Sequence, residues 1–117
     1  MKRKHETPWT NALINPIDIQ EQLAGYMNML QDKQDHYWKV AEFTHSPPPQ
    51  IGIQYGKKYA RITLNNESVH TFVNLKNGDI LKAGGWKAPQ PNGVRGNIFE
   101  KDNGATKVDV YGAVYLI

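Results

Sequence analysis

Two hydrophobic periods divide the chain. Ile19, Leu23, Tyr26, Met27 and Leu30 recur at i, i+4, i+7, i+8 and i+11, which is one stripe on a 3.6-residue repeat. Asn15-Pro16-Ile17-Asp18 stands just before them. It supplies a cap residue, a proline at the first helical position and an acid where free N–H groups collect. The pattern predicts an amphipathic helix over about 16–34. Glu21, Gln22, Gln31 and Asp32 form its polar side. That side lacks the Lys/Arg enrichment of a membrane-surface helix, so the stripe is expected to face a core or an interface. His36 to Phe43 fits a continued helix or a short strand equally well. Pro47-Pro48-Pro49 stops either one and reads as a stiff extended connector.

From Ile51 the period is two. Ile51, Ile53 and Tyr55 alternate with Gly52 and Gln54; Tyr59, Arg61 and Thr63 alternate with Ala60, Ile62 and Leu64. A third run, Val69 to Leu75, leads into Lys76-Asn77-Gly78-Asp79. Asn-Gly between alternating runs is a strong hairpin signal, because both residues tolerate positive φ. Ile80 to Ala83 is the return strand, Gly84-Gly85-Trp86 a bend, and Lys87 to Gly93 a loop with two prolines. Val94 to Phe99 and the Val/Tyr-rich run Lys107 to Ile117 are further expected strands. The expected fold is α+β and mostly β: the amphipathic helix, then a strongly bent, five-stranded small barrel over about 50–117. Residues 1–14 read as a flexible basic arm, with Lys2, Arg3 and Lys4 at its tip. Residues 15–117 read as one domain.

Composition removes several classes. The 117 residues contain no cysteine, which excludes disulfides, a thiol nucleophile and cysteine metal sites. No apolar run approaches the ~20 residues of a membrane helix, and no membrane partner is expected. The four histidines, His5, His36, His45 and His70, have no partner at a metal-ligand spacing, so no metal or cofactor is expected. Ser46 and Ser68 lie in no nucleophile elbow. A non-catalytic protein is the expectation.

Charge sharpens the picture. The overall +3 hides an asymmetry. Residues 1–49 carry five Lys/Arg against six Asp/Glu, and residues 50–117 carry nine against five. Within 57–95, seven cations face two acids. A local excess of that size suits a polyanion. Lys57, Lys58, Arg61, Lys82, Lys87 and Arg95 are the candidate phosphate contacts. Tyr59, Phe72 and Trp86 are candidates for stacking on bases, and His70 and Asn97 for touching base edges. The expected partner is single-stranded RNA or DNA. Two alternatives stand beside it. One is a protein-interaction or regulatory module that binds no nucleic acid. The other is a small nuclease using His70, a carboxylate and Mg²⁺.

Val73-Asn74-Leu75-Lys76-Asn77-Gly78-Asp79 resembles the first conserved segment of Sm-like proteins, and Val94-Arg95-Gly96-Asn97-Ile98 resembles the second. Residues 68–99 are also similar to small proteins of marine phages, cyanophage-like and metagenomic. The resemblance implies an Sm-like barrel and a cyclic homo-oligomer of roughly five to seven subunits, closed by edge strands. It also implies a role in phage RNA or DNA processing, in the cytoplasm of the infected bacterial host.

Overall fold

The computed structural model describes residues 16–114. The expected basic arm, 1–14, and the last three residues of the chain lie outside the described residues. The elements follow in order as α1 (Pro16–Val40), β1 (Ile51–Tyr55), β2 (Tyr59–Leu64), β3 (Ser68–Asn74), β4 (Asp79–Ala83) and β5 (Pro89–Asn97). A single 3₁₀ turn, Ala105–Lys107, comes after them.

The helix starts where its capping sequence says and runs six residues past the expected end. His36 to Val40 therefore resolves as helix. Glu42 ends it in the left-handed region at φ 57°, while the Phe43 amide donates back to the Trp38 carbonyl at 3.2 Å. The strands form one antiparallel sheet in the order β1-β2-β3-β4-β5. Each strand turns back on its predecessor, as short connections require. The Asn77-Gly78 turn is present, with Gly78 at φ 82°. The register shifts between Ile62 and Thr63, and again at Leu81. Such irregularities increase local twist and bend the sheet.

Alternation sorts the strands into two faces. Tyr55, Ala60, Val73, Ile80 and Gly96 are cross-strand neighbours along one row, on the face covered by α1. Ile19, Leu23, Tyr26 and Leu30, the stripe read from the sequence, join Ala60, Ile62, Val73, Ile80, Ile98 and Val108 in one core. Burying each large aliphatic side chain there contributes about 1.5–3 kcal/mol. At its centre the Tyr26 hydroxyl meets Thr71 Oγ1 at 2.6 Å, both fully buried. Gln54, Arg61, Phe72, Leu81 and Val94 form the corresponding row on the outer face.

Two expectations need correction. The Lys107–Ile117 run is not a strand as far as Val114: it makes the end of the 3₁₀ turn and one isolated bridge, Val108 with Ala113. Asp109 is the reason. Its Oδ1 accepts from the amides of Tyr111 (2.7 Å) and Gly112 (3.0 Å), so a side chain takes the bonds a ladder would need. Gly112 then turns at φ 150° and packs against the His70 carbonyl. The second correction concerns β5. It begins at Pro89, inside the expected loop, and ends before Ile98. Pro89 and Pro91 fit there because β5 is an edge strand.

Candidate nucleic-acid interface

The outer-face row places a cation over an aromatic floor. Arg61 and Phe72 are cross-strand partners, and the guanidinium lies 5.8 Å from the Phe72 ring centroid. The β4–β5 loop brings Trp86 to the same guanidinium, 4.6 Å away. Arg61 thus contacts two rings. Its Nε donates to the Trp86 carbonyl at 2.6 Å and its Nη1 to Gln54 Oε1 at 3.0 Å. Cation–π contacts of this kind contribute about 0.5–2 kcal/mol each as water is excluded. The stack anchors the β4–β5 loop to the sheet.

Beside it lies a cleft of about 180 Å³, lined by Gln54, Gly56, Lys57, Lys58, Tyr59, Arg61, Phe72 and Lys87. Lys57 and Lys58 come from the β1–β2 turn and Lys87 from the β4–β5 loop. Lys58 Nζ lies 5.3 Å from the Tyr59 ring centroid, and Tyr59 meets Phe72 edge-on at 6.2 Å. Four cations and no carboxylate line this cleft. Among the described residues none of its three lysines has a carboxylate within ion-pair distance. Trp86 is 41% exposed, with one face on Arg61.

The expected site residues therefore divide. Lys57, Lys58, Tyr59, Arg61, Phe72 and Lys87 share the cleft, and Trp86 joins it through Arg61. Lys82, Arg95, His70 and Asn97 do not line it. Phe72 is corrected from a stacking surface to a floor, since it is 2% exposed and covered by Tyr59 and Arg61. Arg95 spends its Nε on the Val114 carbonyl (3.1 Å) and Nη1 on the Asn92 carbonyl (3.0 Å). Lys82 lines a separate cavity of about 450 Å³ with His70 and the Asp109–Val114 segment. Gln54 and Gly56 belong to the cleft and were not expected. Gln54 stands opposite Arg61 in the register, a pairing that only β1–β2 alignment reveals.

His70 and Asn97 are corrected from base contacts to structural groups. His70 is 2% exposed. Its Nε2 lies 2.7 Å from the Asp109 carbonyl, which can only accept, so Nε2 carries the proton. Nδ1 then accepts from Thr71 Oγ1 at 3.0 Å, and Thr71 accepts from Tyr26. Burial lowers the His70 pKa, and the Asp109 carbonyl and carboxylate oppose that shift. With both nitrogens committed inside the protein, His70 has no free ring nitrogen for the part the nuclease alternative gives it beside a carboxylate and Mg²⁺. Asn97 is 3% exposed. Its Nδ2 donates to the Asn77 carbonyl (2.9 Å) and Asp79 Oδ1 (3.0 Å), and its Oδ1 accepts from the Phe99 amide (2.8 Å). Asn97 thereby ties 94–98 to the 73–79 turn. Among the described residues, no cluster of three or more His, Asp or Glu could hold a metal, and no helix is long and apolar enough to cross a membrane.

A sequence model described as a family of unknown function (DUF7717) matches residues 9–116. The chain belongs to DUF7717. The match takes in α1, the whole sheet and the cationic cleft of this DUF7717 chain. No curated protein and no solved structure matches it.

Proposed function

We propose that this DUF7717 protein binds single-stranded RNA or DNA without catalysis, through the cleft between the β1–β2 turn and the β4–β5 loop. The observation that carries the reading is the cleft's uncompensated charge: four cations, no acid, and an exposed tryptophan at its edge. Lys57, Lys58 and Lys87 hold phosphates. Trp86 stacks on an unpaired base, a contact worth about 1–3 kcal/mol. Arg61 acts chiefly by holding the tryptophan ring in place.

The same proposal includes self-assembly into a cyclic homo-oligomer of roughly five to seven subunits, in which β1 of one copy pairs with the Val94–Asn97 part of β5 on the next. It is supported by the two free sheet edges among the described residues. The Sm-like kinship of this strongly bent sheet, the phage setting and the bacterial host cytoplasm rest on the resemblance of residues 68–99.

Fluorescence anisotropy with a labelled, unstructured mixed-sequence oligonucleotide tests the binding. Log affinity should fall with log salt at about 0.7 per neutralised phosphate. The matched duplex should bind more weakly. Absence of binding at low salt would refute the reading. Light scattering with and without the oligonucleotide tests the ring.

A further inference from the structure

The side chains lining the cationic cleft keep hydrogen-bond donors to spare. Arg61 spends Nε on the Trp86 carbonyl and Nη1 on Gln54 Oε1, and its Nη2 has no acceptor among the described residues. Gln54 gives its oxygen to that same bond, so its amide N–H groups are what remains. Lys57, Lys58 and Lys87 add ammonium groups with no carboxylate among the lining residues. The Tyr59 hydroxyl lines the same space and can donate as well. Donors from β1, β2, the β1–β2 turn and the β4–β5 loop thus meet around one opening.

A second depression, of about 540 Å³, adjoins the cleft. The β4–β5 loop and the start of β5, from Gly84 to Pro91, line it, and Lys87 belongs to both spaces. Trp86 lines this depression and not the cleft itself. Cations and an aromatic face are therefore set side by side, with Lys87 between them.

The kind of phosphate decides how well such a cleft is matched. An internal phosphodiester brings a single negative charge. A phosphate monoester brings about −1.5 to −2 at neutral pH and three strong acceptor oxygens. Four cations with spare N–H donors and no carboxylate suit the second better. We propose that the cleft receives the terminal phosphate monoester of a single strand, while the base of that end nucleotide lies against Trp86. This rests on the nucleic-acid reading and narrows it from any stretch of strand to an end. Lys57, Lys58 and Lys87 supply the charge. Arg61 Nη2 and Gln54 Nε2 supply directed N–H groups. Their mutual bond and the Trp86 carbonyl hold both side chains in advance, so little ordering is required on binding.

The test compares one unstructured oligonucleotide in three unlabelled forms: with a 5′-phosphate, with a 3′-phosphate, and with hydroxyls at both ends. Each competes against a labelled strand in the anisotropy assay. One phosphorylated form should bind about tenfold tighter than the hydroxyl-ended strand, the gain expected of added charge-assisted contacts. Which form it is names the end. Lys87→Gln, and Lys57→Gln with Lys58→Gln, should shrink that ratio towards one. All three lysines are exposed, so the fold is not at stake. Equal binding of all three strands with a steep salt dependence would overturn end recognition and leave strand binding standing. Equal gains from the 5′- and 3′-phosphates would overturn it as well, since general attraction makes no distinction between ends. So would a preference that both variants leave unchanged, by placing the monoester elsewhere. If no strand binds at low salt, strand binding and end recognition fall together.

Discussion

The cationic cleft and the polar networks around His70 and Asn97 all drew residues expected to touch a ligand, yet they are opposite in state. Around His70, each donor has found an acceptor inside the protein: Tyr26 to Thr71, Thr71 to His70, His70 to the Asp109 carbonyl. Around Asn97, the amide satisfies Asn77, Asp79 and Phe99. In the cleft, three lysines face outward with no carboxylate near. A polar side chain with its partners inside holds the fold together. One without them is available to a ligand. Residue type alone does not separate the two cases.

This contrast can be broken at its closed end first. Asn97→Ala should have the largest effect, lowering stability by about 3 kcal/mol, since a buried group left without a partner costs about 1–3 kcal/mol and several are stranded here. Urea unfolding reads it directly, and a loss under about 1 kcal/mol would show that Asn97 is not a tie. Thr71→Val keeps the shape but leaves the buried Tyr26 hydroxyl and His70 Nδ1 unpartnered. A loss of about 2 kcal/mol is expected, again from the urea midpoint.

A smaller effect is expected from pH. His70 has its pKa lowered from 6.5, chiefly by burial, so the unfolded chain takes up the proton first as pH falls. The contribution is complete above 6.5. It is lost as pH drops from there to the lowered native value, at no more than about 1.4 kcal/mol per pH unit. Thermal melts across that window should show the slope in the wild type and a flatter profile in His70→Gln.

Lys57→Gln with Lys58→Gln should give the smallest change in stability, within about 0.5 kcal/mol. In the anisotropy assay the same pair should reduce the salt slope by about 1.4, at 0.7 per phosphate contact. A pair that destabilises the fold but binds normally would reverse the assignment of the two regions.

Much of the architecture was legible in periodicity. Pro16 and the Ile19–Leu30 stripe marked the helix, and Asn77-Gly78 marked the hairpin. These signals are local, and local geometry fulfils them. The end of the helix was not legible, because Tyr37, Trp38 and Phe43 pack on one another rather than on the core stripe. The Val108–Val114 segment departs from its strand pattern because Val and Tyr favour strands while Asp109 and Gly112 favour a turn, and the turn prevails. At the site, the sequence gathered the lysines through their closeness in the chain. It could not show that Arg61 meets both Phe72 and Trp86, since Trp86 lies 25 residues away. Nor could it show that His70 faces Asp109 across 39 residues. Those pairings exist only after the strands align.

The hydrogen bond from Tyr26 to Thr71 also acts as an index mark between the two layers. Leucine and isoleucine adhere almost equally well after a small slide, so grease alone permits several settings of the helix along the sheet. Moving it by one turn, about 5.4 Å, would leave the phenol oxygen stranded in hydrocarbon, and one setting survives. The oily stripe makes the helix stick, and a single hydroxyl tells it where.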